Sequence, residues 1–150
     1  MKLHLNDTFN QQLPADSNVS NTRRQVFDAA FSFVAPRVPS HPNLLHVADE
    51  VAELLGISQA ETQSLDFLNL VSGSAVYPET KPYAMAYAGH QFGNWAGQLG
   101  DGRAINLFEI LHNNQRWTLQ LKGAGETPYS RTADGFAVLR SSVREHLCSE

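Results

Sequence analysis

Two periods of apolar and polar residues run along this chain, and each predicts its own kind of secondary structure. Within residues 116–122 every second residue from Trp117 is apolar, which is typical of a strand with one buried face. A second strand-like run covers residues 103–111, and a polar connection at residues 112–115 separates the two runs. This pattern predicts an antiparallel hairpin, with Lys122 on its polar face near the end of the second strand.

A helical period is clear in residues 44–55. The apolar side chains there recur three or four residues apart, at Leu44, Val47, Val51, Leu54 and Leu55. Gly56 is the expected C-cap of this helix. Ser58 and Glu61 have the spacing of a capping box, which predicts a second helix. We expect the inner face of that second helix to carry Leu65, Phe67 and Leu68, and both helices to serve in packing.

A third helix is predicted from about Gly135, with Asp134 as its N-cap. Its main apolar stripe consists of Phe136, Leu139, Val143 and Leu147. Glu145 falls roughly opposite the stripe, among small or weakly polar residues, so we expect this helix to be contacted on both sides. Together the elements predict an α+β fold, an antiparallel sheet with flanking helices.

The first 22 residues differ from the rest of the chain. They are polar, show neither a helical nor a strand period, and are expected to form a flexible or loosely docked arm. Apolar content rises from Arg23, and the apolar and polar residues at 31–34 alternate as in a strand. Three prolines follow within residues 36–42, so no helix can continue through that segment. We therefore divide the chain into an arm at residues 1–22 and a folded lobe at residues 23–150.

Composition limits the classes of protein to which this chain can belong, although it does not identify a function. The 150 residues are enough for one domain with a real core. A net charge of −4 and a pI near 5.8 argue against a general nucleic-acid binder. The only cysteine, Cys148, excludes an intrachain disulfide and fits a reducing compartment. There is neither a signal-peptide pattern nor a long apolar run, so we expect a cytoplasmic protein without nucleic-acid or membrane partners.

Glycines are concentrated in residues 89–102, first at every fourth residue and then at Gly100 and Gly102. Glycine allows the backbone to approach another element or a ligand closely. This glycine run leads into Arg103, so it offers both an approachable backbone and a cation, as a phosphate site requires. A glycine-rich connection with a purely structural role is the alternative.

A strand lysine and a helix glutamate follow the glycine turn. Lys122 and Glu145 have the order of the protein-kinase arrangement, in which the lysine binds phosphate and the glutamate holds the lysine side chain. The Rossmann and P-loop fingerprints are both absent from the sequence. Either residue could instead be an ordinary solvent-exposed side chain. Further phosphate candidates are Arg131, Arg140 and Arg144, and the six histidines show no metal-ligand spacing.

Four segments closely resemble the selenoprotein O (SelO, YdiU in bacteria) family. They are residues 87–93 (YAGHQFG), 97–104 (GQLGDGRA), 121–131 (LKGAGETPYSR), and 133–145, which starts with ADG and ends with RE. The resemblance covers residues 26–150 and is most specific from Tyr83 onward. It implies a protein-kinase-like fold that acts as a protein adenylyltransferase, transferring AMP from ATP to Ser, Thr or Tyr hydroxyl groups of proteins.

The resemblance also implies roles for particular residues. The implied ATP-binding residues are Gly100, Gly102, Arg103, Lys122, Asp134 and Gly135, with Glu145 as the residue that orients the lysine. The family uses Mg or Mn with ATP, and its catalytic base and metal ligands are expected beyond residue 150. We therefore expect residues 23–150 to be the N-terminal nucleotide-binding lobe of a longer enzyme, and the 150-residue chain to be inactive alone. A non-catalytic nucleotide-binding or protein-interaction pseudokinase module is the alternative.

Overall fold

The structure, a computed structural model, describes residues 1–132 and 135–149. The strands are β1 (Phe31–Phe33), β2 (Tyr83–Met85), β3 (Gly89–Gln91), β4 (Asn94–Ala96), β5 (Ala104–His112) and β6 (Gln115–Lys122). The helices are α1 (Thr8–Gln12), α2 (Asp49–Leu54), α3 (Gln59–Thr62), α4 (Leu65–Val71) and α5 (Leu139–Ser149). No helix in these described residues is long and apolar enough to cross a lipid bilayer.

The strands form an antiparallel sheet and a separate hairpin. The sheet has the order β1-β2-β5-β6, and every neighbouring pair in it is antiparallel. Strands β3 and β4 pair only with each other among the described residues. The predicted α+β fold, an antiparallel sheet accompanied by helices, is confirmed.

The β5–β6 hairpin has the alternation that the sequence predicts. Asn113 and Asn114 form its turn with φ angles of 49° and 60°, left-handed values that asparagine tolerates better than most residues. His112 pairs with Gln115, so the connection has two residues rather than the expected four. Along β6, half-buried side chains that pack on the core alternate with exposed ones, and Lys122 lies on the exposed face.

Helices α2 and α4, together with the segment before α3, share a core with β5. Its buried apolar side chains include Ala52, Ile57, Phe67, Leu70, Leu107, Phe108 and Ile110. Removing a large apolar side chain from water contributes roughly 1.5–3 kcal/mol. This packing therefore holds the hairpin that carries Lys122 in a fixed position.

The first predicted amphipathic helix is shorter in the structure. Helix α2 begins only at Asp49, an acidic residue that favours the positive end of the helix dipole. Leu44 and Val47 still pack against the core, but from the non-helical segment that precedes the helix. Val51 and Leu54 are 51% and 45% exposed, so the packing role expected of this helix does not extend to these two side chains.

The capping box after α2 is confirmed. The Ser58 amide donates to Glu61 Oε2 at 2.9 Å, and the Glu61 amide donates to Ser58 Oγ at 3.4 Å. Helix α3 lasts about one turn, and Ser64 then caps α4 by accepting from the Phe67 amide. The break between the two helices turns Phe67 into the core and leaves Leu65 69% exposed, so the prediction for Leu65 is wrong.

The polar N-terminal segment packs on the sheet. Leu3 is buried in the core, and Leu5 forms an isolated antiparallel bridge with Ile110. The Phe9 ring stacks on Tyr83 with 5.4 Å between the ring centroids. These contacts are more extensive than the composition suggests. The mobility of residues 1–22 and the boundary that follows them stay predictions.

Helix α5 differs most from its sequence prediction. It begins at Leu139, so Phe136 precedes the helix instead of belonging to its apolar stripe. Leu139, Val143 and Leu147 are 63%, 44% and 67% exposed, and no residue in the described length of α5 is buried. Within the described residues this helix is contacted on its polar side, so the expected contacts on its apolar side stay a prediction. The predicted N-cap, Asp134, lies outside the described residues.

Candidate functional site

The glycine turn at residues 100–103 leads into β5. Gly100 has a φ of 73°, which favours glycine, and a Cβ there would lie 2.7 Å from the carbonyl oxygen of Met85. At Gly102 a Cβ would lie 3.0 Å from the carbonyl oxygen of Tyr129. Protein atoms therefore pack closely on both glycines, which accounts for glycine at these positions whether or not a ligand also approaches them.

Three charged side chains converge where β5 begins and β6 ends. Ala104 pairs with Lys122 in the sheet, which places Arg103 next to the lysine. Lys122 Nζ donates a hydrogen bond to Glu145 Oε1, and the two groups form an ion pair between β6 and α5. Their side chains are 51% and 49% exposed, so water reaches the pair. The structure thus brings the strand lysine and the helix glutamate together.

The cations around Glu145 hold its pKa below the ordinary value of 4.5. The hydrogen bond from Lys122 is the largest cause; desolvation acts in the opposite direction, and the charges of Lys122, Arg103 and Arg144 add to the lowering. Glu145 is therefore ionised at neutral pH. In that state it is an acceptor that holds the lysine ammonium in one place.

A cavity of about 270 Å³ opens beside the pair. Its polar lining includes Arg103, Lys122, Ser141, Ser142, Glu145 and Ser149. Cations and hydroxyl donors are groups that bind phosphate oxygens. The cavity can therefore hold an anionic group between the start of β5 and helix α5.

The other predicted site residues lie elsewhere or outside the described part of the chain. Gly100 and Gly102 both face Tyr129. Gly135 has a φ of 76°, and its carbonyl oxygen accepts a hydrogen bond from the Gly125 amide at 3.3 Å. None of these three glycines lines the 270 Å³ cavity. Asp134 lies outside the described residues.

Gly123 connects the parts of the site by backbone hydrogen bonds, although no sequence pattern indicated a role of its own for it. Its amide donates to the carbonyl oxygen of Arg103 at 2.6 Å, and its own carbonyl oxygen accepts from the Ala137 amide at 3.1 Å. With a φ of 83° and no room for a Cβ beside Ala137, this position requires glycine. Gly123 thereby links the arginine, the end of β6 and the segment that leads into α5. Its sequence signal is a glycine directly after the strand lysine.

A larger cavity, of about 530 Å³, also borders Lys122. The guanidinium carbon of Arg37 lies 4.6 Å from the Phe136 ring centroid in its wall, a cation–π distance. The Arg37 amide donates to the carbonyl oxygen of Ala124 at 2.8 Å. No sequence pattern indicated Arg37, because the proline-rich stretch that contains it has no period from which its contacts could be predicted.

Comparison with known proteins identifies the family. A family model described as "Protein adenylyltransferase SelO" matches residues 16–150. Proteins named "Protein nucleotidyltransferase YdiU" are similar along almost the whole chain. The one from Flavobacterium johnsoniae is 63% identical over 148 residues, and the one from Tolumonas auensis is 55% identical over 148 residues. A third, from Rhodopirellula baltica, is 54% identical over 149 residues.

Each of these alignments covers 99% of this chain and 28% of the relative. The chain thus spans somewhat more than a quarter of the length of these curated relatives and corresponds to their N-terminal part. The resemblance carried by the four sequence segments is confirmed by the family match over residues 16–150. This chain therefore belongs to the SelO family of protein adenylyltransferases.

Proposed function

We propose that the full-length protein transfers AMP from ATP to Ser, Thr or Tyr hydroxyl groups of other proteins, and that this chain supplies the ATP-binding part. Family membership supports the reaction class. The observation that supports ATP binding is the convergence of Arg103, Lys122 and Glu145 on one cavity. By the same proposal, the sheet and α5 are the N-terminal lobe of a protein-kinase-like fold, with α5 as the helix that orients the lysine.

In this proposal Lys122 and Arg103 bind the phosphate oxygens of ATP. The lysine acts as a compact point charge, whereas the planar guanidinium can contact two oxygens at once. Glu145 keeps the lysine in one orientation, so fewer groups must be ordered during the reaction. The attacking protein hydroxyl forms a bond to the α-phosphorus, and the bond to the bridging oxygen breaks. Pyrophosphate leaves, and the hydroxyl proton passes to a base that we place in the longer chain.

Several parts of the proposal rest on the family resemblance alone. These are the ATP contacts of Gly100, Gly102, Asp134 and Gly135, and the use of Mg²⁺ or Mn²⁺. No group of three or more His, Cys, Asp or Glu residues is placed to hold a metal ion within residues 1–132 and 135–149. We therefore assign no step to a metal ligand of this chain. The cytoplasmic location and the lack of nucleic-acid or membrane partners stay predictions.

A nucleotide-binding or protein-interaction module without catalysis is the alternative function. The exposure of the Lys122–Glu145 pair favours it, because a catalytic site ordinarily excludes water from its charged groups. In the main proposal the longer chain would cover this side of the cavity.

The position of the isotope in labelled ATP separates these functions. The full-length protein is incubated with a protein substrate and with ATP labelled on either the α- or the γ-phosphate. Label from the α-phosphate on protein indicates AMP transfer, label from the γ-phosphate indicates a kinase, and neither label despite ATP binding indicates the module. The 150-residue chain alone is expected to transfer neither, and α-label transfer by it would contradict our placement of the base.

A further inference from the structure

A short segment at residues 127–130 holds the glycine turn by its backbone. Thr127 Oγ1 donates a hydrogen bond to the carbonyl oxygen of Asp101 at 2.6 Å, and Ser130 Oγ donates one to the carbonyl oxygen of Gly102. Thr127 is fully buried and Ser130 is 4% exposed. Two consecutive carbonyl groups directly before Arg103 are thus held by two buried hydroxyl groups.

The holding segment is itself fixed. The Thr127 amide donates to Ser130 Oγ at 2.9 Å, and the Ser130 amide donates to the carbonyl oxygen of Thr127 at 3.0 Å. Tyr129 packs its ring against Gly100, and its hydroxyl shares a hydrogen bond of 2.9 Å with Ser32 on β1. The segment is therefore closed by its own hydrogen bonds and anchored to the sheet.

Further bonds fix the turn on its other sides. Asp101 Oδ2 accepts from the Met85 amide at 3.0 Å and from Asn106 Nδ2 at 2.8 Å. The carbonyl oxygen of Arg103 accepts from the Gly123 amide at 2.6 Å. The backbone on both sides of Arg103 is thus held in place, while the side chain itself is exposed.

We propose that Thr127 and Ser130 are positioning residues for Arg103, because their hydroxyl groups fix the backbone from which its guanidinium reaches the ATP phosphates. The phosphate part of this inference rests on the function proposed above. Neither residue lines the 270 Å³ cavity, so its effect on the ligand passes through Arg103. A flexible side chain that starts from a fixed backbone loses less conformational freedom on binding, which improves affinity.

The first test measures ATP binding to the full-length protein by isothermal titration calorimetry. Ser130→Ala and Thr127→Val each remove one hydroxyl donor, and Thr127→Ser is the matched control that keeps it. We expect the first two to weaken ATP binding about 3- to 10-fold, the factor that a typical net hydrogen bond represents, and the control to stay within about twofold. In the Arg103→Ala background, Ser130→Ala is expected to change the affinity by less than about twofold, because the coupling is lost.

The second test needs no ligand. The Gly123 amide is bonded to the carbonyl oxygen of Arg103, so its hydrogen exchange reports on the turn. We expect Ser130→Ala to speed that exchange by about fivefold or more, and to leave amides at the far end of the β5–β6 hairpin within about twofold. Thermal unfolding verifies that each variant is folded; should Thr127→Val not fold, Ser130→Ala decides the test.

The two measurements separate failure of this inference from failure of the proposed function. Unchanged Gly123 exchange in the hydroxyl-removing variants would overturn the positioning role, whatever happens to ATP binding. Equal weakening of ATP binding with and without Arg103 would overturn it as well, since the effect would then bypass the arginine. If Gly123 exchange is faster but neither Arg103→Ala nor Lys122→Ala changes the affinity for ATP, the result overturns the proposed nucleotide-binding role of the cavity instead.

Discussion

The candidate site joins two regions that are held in place by different means. The turn at residues 100–103 is anchored by buried polar groups, and Asp101 within it is only 8% exposed. Helix α5 contributes Glu145 but has no buried residue in its described length. Its contacts with the rest of the chain include the Lys122 ion pair and a 2.8 Å contact between His146 Nε2 and His46 Nδ1.

This difference indicates that the turn is the half of the site that is firmly anchored to the sheet. A buried hydrogen bond is costly to break, because the group that loses its partner has no water to replace it. An exposed ion pair contributes little, because water competes for both charges and salt screens them. We therefore expect the turn to respond to substitutions of buried groups and the α5 side to respond to pH and salt.

The largest expected effect concerns catalysis by the full-length protein. Lys122→Ala removes the cation that Glu145 holds, and we expect transfer of α-labelled AMP to fall about 10²–10³-fold, the usual cost of losing one charge-stabilising group. The measurement is label incorporated into protein per unit time. Lys81→Ala, which removes an exposed lysine outside the cavity, is the control and should leave the rate unchanged. An unchanged rate in Lys122→Ala would remove this residue from the site.

Core and α5 leucines should differ sharply in their contribution to stability. Leu70 is 3% exposed, so Leu70→Ala should lower the free energy of unfolding by about 2–5 kcal/mol. Leu147 is 67% exposed, so Leu147→Ala should change it by less than about 0.5 kcal/mol. Urea unfolding of the 150-residue chain measures both. Equal losses would mean that the α5 stripe is covered in solution, for example by self-association.

Two glycines test how α5 is attached to the sheet. Gly123→Ala places a Cβ against Ala137 at a φ of 83°, so we expect a loss of about 1–3 kcal/mol in the free energy of unfolding. Gly97→Ala is the matched control, because nothing lies within 4 Å of a Cβ at that position. Urea unfolding compares the two. If Gly123→Ala is as stable as Gly97→Ala, the backbone around Ala137 shifts at little cost to accommodate the added methyl group.

The smallest expected effect is the response of the ion pair to pH. The pKa of Glu145 is lowered, so the pair is fully present above 4.5 and is lost as the pH falls through the lower pKa of the folded state. An NMR titration of the Glu145 carboxyl carbon should give a pKa below 4.5. In Lys122→Met, which removes the hydrogen bond, that pKa should rise. A pKa unaffected by this substitution would contradict the contact in solution.

Patterns that depend on neighbouring residues were predicted well. The Ser58–Glu61 capping box and the alternation of β6 are both present, because a cap bond spans three residues and a strand has a strict period of two. The order of lysine and glutamate also indicated a pair that the structure brings together. By contrast, the apolar period of α5 did not reveal which side of the helix meets the sheet, because periodicity describes a face and not its partner.

The sequence by itself determined the family, the hairpin that ends in Lys122 and the identity of the three charged residues at the cavity. Only the tertiary structure decided that buried hydroxyl groups hold the turn before Arg103. It also decided that Gly123 is enclosed by Ala137 and that the apolar stripe of α5 faces outward. The physical reason is the separation along the sequence over which each interaction acts. Local propensity acts within a few residues, whereas the bond from Thr127 to the Asp101 carbonyl links positions 26 residues apart and exists only when the chain has folded.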